Sequence, residues 1–268
     1  MYMPQDISLV GPAALTNLVA HYGPVDILGG SWECHSVNKV GRCRGVEDPR
    51  FIFFFDLVRI INFFQQHQQI PMVYLLENTY PGEDINLNPH VKQAQHLVEA
   101  FLGPNVRLDS ADMGSAAHRV RLYWTNMLPT EALRHIMPQN QEPEPSLQEC
   151  LLPNHETFIP SYTNRFPYVD HIVKGLPRIC MPPVVSFLRS NAYRPKPDGR
   201  PGEGEVNNVI YERWEEPTVG EKEKLMGYNE GDTAAEGVTE AQRAVRLGRT
   251  LNGHTMRWFG AFLWAAQQ

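Results

Sequence analysis

Long apolar runs, internal repeats and low-complexity tracts are missing from this sequence of 268 residues. The longest apolar candidate, residues 51–64, is interrupted by Asp56, Arg59 and Asn62 and falls short of the roughly 20 residues that a membrane-spanning helix needs. No signal peptide is recognisable. We therefore expect one large globular domain, or a domain with a small lobe, that makes no contact with a membrane.

Cysteine is scarce, and no two cysteines have the C-x-x-C spacing of a zinc site. The four are Cys34, Cys43, Cys150 and Cys180. Because so few cysteines in so long a chain do not form a disulfide framework, we expect a reducing compartment and no metal. Basic residues are not in excess either. The formal net charge of -6 argues mildly against a nucleic-acid partner, although a local basic surface is compatible with it.

The segment from Val25 to Cys34 is the one around which the other motifs are arranged. Apolar residues 25–28 predict a short buried strand, which Gly29 and Gly30 are expected to end. Cys34 then lies just past the carboxyl end of this strand, where ligands and reacting groups collect in open α/β sheets. A thiol in that place is a candidate nucleophile, and the alternative is a cysteine that only packs.

Two further stretches place charged side chains at strand positions. Residues 71–76 predict a second strand ending at Glu77, which is either a partner for the thiol at the same sheet edge or a surface charge. Arg119 and Arg121 alternate with apolar residues, which predicts a strand with both guanidiniums on one face. Paired guanidiniums suit a phosphate or a base carbonyl, and the alternative is an edge strand with solvated charges.

Helical spacing and capping residues predict most of the remaining elements. The predicted helices are at 13–22, 51–64, 88–102, 218–226, 239–247 and 256–266, and a third strand is at 106–108. The polar segment 35–49 contains Lys39, Arg42 and Arg44 and predicts a loop. It is either a mobile loop whose cations meet phosphates or a solvated surface loop.

Five stretches in order resemble the motifs of one family, the DNA cytosine-5 methyltransferases, and most of all its animal de novo class and plant domains-rearranged class. They are Asp26–Ser31 followed by Cys34, Leu76–Thr79, Ser115–Arg121, Arg189–Asn191 and Leu247–Thr250. Tyr2–Ile7 is similar to the family's third cofactor-binding motif, with Asp6 at the acidic position. Each motif alone is weak, whereas five in order, spread along the whole chain, form a strong resemblance.

The resemblance implies an α/β, Rossmann-like S-adenosylmethionine-dependent methyltransferase fold. Its mostly parallel sheet would lack the first strands, and a small target-recognition region would be attached. The implied reaction moves a methyl group from S-adenosylmethionine to C5 of cytosine in DNA, through a covalent Cys34 adduct at C6. Glu77 would give or share the proton at N3. Arg121, with Arg119 beside it, would hold the base's O2 or a flanking phosphate.

The resemblance also assigns cofactor contacts, domains and partners. Asp6, Arg249 and Thr250 are the residues it places against S-adenosylmethionine. Residues 1–128 would form the catalytic core, 129–180 the target-recognition region and 181–268 the carboxyl-terminal part of the core. DNA is the implied partner, with room for another methyltransferase subunit, and the nucleus is the implied location.

Three departures from the family pattern leave other interpretations open. The chain starts at the third motif, which suggests a fragment, a truncated product or an inactive relative. The family's proline before the nucleophile is Glu33, whose charge should raise the thiol pKa, and its Glu-Asn-Val has become Glu77-Asn78-Thr79. The alternative is an inactive or fragmentary paralogue that serves as a DNA-binding or methyltransferase-binding regulatory module. A chance resemblance in another α/β protein is the third interpretation.

Overall fold

The computed structural model describes residues 4, 6–37, 43–82, 88–156, 172–173, 176–180 and 205–266. Three predictions concern residues outside this description: the start of the Tyr2–Ile7 motif, the loop cations Lys39 and Arg42, and the Arg189–Asn191 motif. The predicted target-recognition region, 129–180, is described in part.

Helices and short strands alternate up to residue 109, and beyond it strands and helices occur in groups. The α-helices are α1 (Pro12–Tyr22), α2 (Ile52–His67), α3 (Pro89–Leu102), α4 (Thr130–Ile136), α5 (Leu147–Cys150), α6 (Val219–Leu225), α7 (Glu240–Arg249) and α8 (Gly253–Ala266). The strands are β1 (Ile27–Ser31), β2 (Val73–Thr79), β3 (Val106–Asp109), β4 (Ala117–His118), β5 (Val120–Thr125), β6 (His155–Glu156), β7 (Ile172–Val173), β8 (Leu176–Pro177), β9 (Ile179–Cys180), β10 (Val206–Asn208) and β11 (Arg213–Glu215). Each predicted helix is confirmed within about one turn of its expected position.

The chain divides into two compact units. The first comprises Met1–Leu108 and Val120–Ile136, and the second comprises Asp109–Arg119 and Met137–Gln268. The first unit carries a four-stranded sheet in the order β1-β2-β5-β3. β1 and β2 are parallel, with helix α2 connecting them, whereas β5 runs antiparallel to β2. The predicted α/β class is confirmed, and the sheet is mixed because no helical crossover lies between β3 and β5.

The helices of the first unit begin and end at local sequence signals. Before α3, the Asn88 side chain accepts hydrogen bonds from the backbone N–H groups of His90 (2.9 Å) and Val91 (3.3 Å). Pro89 occupies the first helical position, where its missing N–H costs nothing. Gly103 follows the last turn with φ of 78°, a conformation that favours glycine. These signals explain why sequence spacing located α3 so closely.

The core of the first unit lies between the sheet and its helices. Phe54, Leu57 and Ile61 on α2 recur at helical spacing and are all buried. Leu76 at the centre of β2 is fully buried. Burying each such side chain contributes roughly 1.5–3 kcal/mol, so this layer fixes the position of β2 and of the residues that follow it.

The glycine pair does not end β1, and that prediction is wrong. Gly29 and Gly30 lie within the strand and pair with Leu75 and Leu76 of β2. Extended backbone accommodates any residue, and a Cβ built on Gly30 meets side-chain atoms only at 3.6 Å or more. The strand continues to Ser31 because the parallel ladder with β2 continues to Glu77.

The second unit is organised around β6, β10, β11 and the helices near the carboxyl end. The three strands form an antiparallel sheet in the order β11-β10-β6. Helices α6 and α7 both begin with capping boxes, at Thr218 with Glu221 and at Thr239 with Gln242. These caps confirm the two threonine-led helix starts that the sequence predicted.

Candidate active site

Cys34 lies just past the carboxyl end of β1, as the sequence predicted. The strand ends at Ser31, and Cys34 is the first residue of a short 3-10 turn that extends to Ser36. Its side chain is half-buried, whereas Cys150 is completely buried among apolar neighbours. Cys34 is therefore more accessible than the core cysteine Cys150.

Glu77 and Arg121 face each other on the neighbouring strands β2 and β5. Arg121 pairs in register with Thr79, which lies two residues beyond Glu77 and on the same face of β2. The Arg121 Nε atom lies 2.9 Å from Glu77 Oε1, and the two side chains are only 13% and 7% exposed. Glu77 Oε1 accepts no well-aligned hydrogen bond, so charge attraction to Arg121 is what holds it. This buried ion pair presents one carboxylate and one guanidinium together.

The charges of this pair act on the Cys34 thiol. Burial raises the pKa of Cys34 above its ordinary value, and the neighbouring charge of Glu33 raises it further. Arg121 lowers this pKa, and Glu77 opposes that effect. The predicted influence of Glu33 is confirmed in direction, although burial is the larger cause. The structure thus brings Cys34, Glu77 and Arg121 into one electrostatic neighbourhood.

Asn78 is a site residue whose role the sequence did not reveal. Its Nδ2 donates to the carbonyl of Trp32 at 3.2 Å, and its Oδ1 accepts the N–H of Thr79 at 2.7 Å. The Trp32 ring packs against Phe54 and Trp124, with centroids 5.2 Å away in both contacts. Asn78 therefore fastens the segment before Cys34 to β2. Its place directly after Glu77 was the only available signal.

Arg119 has different partners from Arg121. In the second unit, its buried guanidinium donates from Nη2 to the carbonyls of Gly248 (3.1 Å) and Thr250 (2.9 Å). Arg119 precedes β5, which begins at Val120, so the strand alternation expected for both arginines does not govern it. The edge-strand alternative is wrong, because β5 lies between β2 and β3. Arg119 joins the arginine motif to the Leu247–Thr250 motif.

Replacing Arg119 with methionine should lower the free energy of unfolding by about 3 kcal/mol or more. The variant keeps the apolar stem but loses two hydrogen bonds from a charged donor, each worth roughly 1.5–3 kcal/mol. Arg249→Met is the matched control, since Arg249 is exposed at the end of α7 and should contribute less than about 1 kcal/mol. Denaturant unfolding followed by circular dichroism measures both. Equal stability of the two variants would contradict this structural role of Arg119.

The three residues expected to contact the cofactor are differently placed. Asp6 is exposed, and its Oδ1 accepts from the N–H (2.9 Å) and hydroxyl (2.7 Å) of Ser8, which lower the Asp6 pKa. Arg249 is exposed in the last turn of α7. Thr250 is engaged within the second unit: its carbonyl accepts from Arg119, and its hydroxyl lies 3.1 Å from that of Tyr228. Asp6 and Arg249 thus offer exposed groups, whereas Thr250 supports its own unit.

Membrane-spanning helices and metal-ligand clusters do not occur in the part of the chain that the structure describes. No helix there is both long enough and apolar enough to cross a bilayer. Within the same residues, no three His, Cys, Asp or Glu side chains gather as a metal site.

The fold is that of methyltransferases, as comparison with solved structures shows. Over almost its full length, the chain superposes on several of them with TM-scores above 0.5. No family model matches the sequence. At the low identities involved, this likeness establishes the fold, and the chemistry has to be argued from the site.

Three of these structures illustrate the likeness. Entamoeba histolytica methyltransferase EhMeth has a TM-score of 0.61 and 13% identity, covering 99% of this chain and 83% of that one. Schizosaccharomyces pombe Dnmt2 methyltransferase has a TM-score of 0.56 and 15% identity, covering 99% and 85%. A protein assigned as a DNA modification methyltransferase from an Escherichia coli prophage has a TM-score of 0.57 and 12% identity, covering 97% and 84%.

Proposed function

We propose that this chain is a cytosine-5 methyltransferase that acts on DNA and uses S-adenosylmethionine. One observation carries the proposal: Cys34, just past the end of β1, shares its surroundings with the buried Glu77–Arg121 pair of the adjacent strands. The methyltransferase fold and the sequence motifs support it. The DNA modification methyltransferase among the similar structures supports DNA as the substrate class.

The three side chains suit the chemistry that cytosine methylation requires. C5 of cytosine is a poor nucleophile until a thiolate adds to C6 and turns the ring into an enamine. Cys34, after losing its proton, forms that S–C6 bond. Glu77 gives or shares the proton at N3, and Arg121 stabilises the charge that develops at O2. Once C5 has accepted the methyl group, loss of the C5 proton to solvent breaks the S–C6 bond and restores the thiolate.

S-adenosylmethionine, when bound, supplies the methyl group. Both hydrogen bonds from Ser8 to the exposed Asp6 carboxylate go to Oδ1. Its Oδ2 can therefore accept a hydrogen bond from an adenosine amine. The exposed Arg249 guanidinium can pair with a carboxylate. Thr250 is already engaged and is a weaker candidate. The target base must leave the DNA stack to reach Cys34, as for other enzymes that act on a base.

The test is methyl transfer from S-adenosylmethionine to duplex DNA, with the nucleosides then separated by mass spectrometry. We expect 5-methylcytosine to accumulate with time and enzyme concentration, and a duplex of adenine and thymine alone to stay unmodified. Methylation at another position or another base would refute the proposal. Absence of transfer by a folded protein would favour the inactive paralogue.

The alternative function, a non-catalytic module that binds DNA or another methyltransferase, is favoured by one feature of the site. Burial and Glu33 both raise the pKa of the Cys34 thiol, so less of it is thiolate near neutral pH. Calorimetric titration with S-adenosylmethionine separates the two functions. The enzyme should bind the cofactor, whereas a module that binds DNA without binding S-adenosylmethionine would support the alternative.

A further inference from the structure

Glu33 and His35 stand on either side of Cys34, and their side chains meet. His35 Nδ1 lies 2.6 Å from Glu33 Oε2, a distance at which the ring donates to the carboxylate. The two side chains are partly exposed, 20% for His35 and 32% for Glu33. The pair therefore lies at the surface of the same turn that presents the thiol.

We propose that His35 is a positioning residue for the Cys34 nucleophile. It holds the Glu33 carboxylate and, when protonated, cancels the negative charge that opposes a thiolate at Cys34. This inference rests on the proposed function only in taking Cys34 as the nucleophile. The sequence adds a reason: where the resembling family has proline, this chain has a carboxylate that needs a counter-charge beside the thiol.

The balance of charges around Cys34 supports this role. Two carboxylates act on the thiol, Glu33 and Glu77, and Glu77 is already matched by Arg121 at 2.9 Å. Among the residues that the structure describes, Glu33 forms no ion pair with an arginine, and His35 is the base that reaches it. With an imidazolium at His35, each carboxylate has a cation. With a neutral ring, one negative charge is left beside the thiol.

A second ion pair, between Arg50 and Asp48, lies near this turn. It does not take the place of His35 as the partner of Glu33. Asp48 is the main cause of the raised pKa of the Arg50 guanidinium, and the charges of Glu33 and Cys34 raise this pKa further. It is bound to Asp48 through two contacts, Nε to Oδ1 at 2.8 Å and Nη2 to Oδ2 at 2.6 Å. Since Arg50 is committed to Asp48, the direct partner of Glu33 is His35.

The effect depends on pH because it requires a charged ring at His35. Only a protonated imidazole cancels the charge of Glu33, so native and variant proteins are compared from acidic to basic pH. A His35→Gln variant keeps a hydrogen-bond donor to Glu33 but no titratable charge. The fraction of Cys34 present as thiolate should therefore be lower in the variant than in the native protein at mildly acidic pH. The two fractions should converge at high pH.

The experiment measures alkylation of Cys34 by iodoacetamide between pH 6 and 9, without DNA or cofactor. Trypsin releases residues 1–39, in which Cys34 is the sole cysteine, so mass spectrometry follows this thiol alone. We expect His35→Gln to react about fivefold more slowly than the native protein at pH 6.5 and at an equal rate at pH 9. In a Glu33→Gln background, the same His35→Gln change should have no effect, because the negative charge that His35 cancels is no longer present.

Two outcomes would overturn the inference: equal alkylation of His35→Gln and native protein at every pH, or the same slowing in the Glu33→Gln background. The first would mean that His35 does not act on the thiol, and the second that it acts without Glu33. Circular dichroism spectra and the slow alkylation of buried Cys150, whose pKa burial raises to about 11, check that the variants are folded. Because methyl transfer is not measured, failure here is separate from failure of the proposed function.

Discussion

A Cys34→Ala variant should lose methyl transfer to cytosine by about 10⁴-fold or more, while remaining folded. Removing a covalent nucleophile abolishes the step that activates C5, and losses of this size are usual for nucleophiles. Because Cys34 is half-buried in a short turn after β1, replacing the thiol with a methyl group removes few core contacts. The initial rate of 5-methylcytosine formation, at saturating DNA and cofactor, measures the loss.

The matched control is Cys43→Ala, which removes another half-buried thiol of the first unit. Its methylation rate should stay within about twofold of the native rate, because Cys43 packs at the edge of the core and is not part of the proposed chemistry. Retention of a large part of the native rate in Cys34→Ala would show that methyl transfer does not use this thiol.

Glu77→Gln should reduce methyl transfer by about 100-fold to 10,000-fold, the usual contribution of a positioned acid or base. Glutamine fills the same volume but can neither give up nor share an acidic proton at N3 of the base. The variant also leaves the buried Arg121 without its carboxylate, which adds a stability loss typical of a broken buried ion pair. Rate and unfolding free energy therefore have to be measured on the same preparation.

Glu131→Gln is the control, since Glu131 is 73% exposed on α4 and pairs with Arg134 at the surface. We expect unchanged rate and stability there, because exposed ion pairs contribute little. If Glu77→Gln lost stability but kept its rate per folded molecule, Glu77 would be a structural partner of Arg121 and not a proton donor.

Elements with strong local signals were predictable from the sequence. α2 repeats large apolar residues at helical spacing, and α3 combines an Asn88 cap, a proline in its first turn and Gly103 beyond its end. The glycine pair of β1 misled the prediction, because local composition indicates a turn whereas pairing with β2 decides the strand's length. The direction of β5 was equally beyond local sequence, since it depends on which strands meet.

The candidate site was likewise predictable from the sequence only in part. The sequence predicted that Cys34 follows β1 and that Glu77 lies near the end of β2. Their shared location was predictable because the carboxyl ends of adjacent parallel strands meet at one edge of a sheet. The ion pair between Glu77 and Arg121 depends on the register of β2 with β5, which no spacing rule supplies. The separate partners of Arg119 depend on contacts more than one hundred residues away in sequence.

The measurement that tests the central claim most directly is covalent capture of DNA by the native protein. The duplex carries a cytosine analogue with fluorine at C5, which cannot lose a proton there, so the bond between sulfur and C6 persists. In the presence of S-adenosylmethionine, we predict a protein–DNA adduct whose digestion assigns the nucleotide to Cys34 in peptide 1–39. An adduct on another residue, or methylation of ordinary cytosine without any capture, would contradict the account.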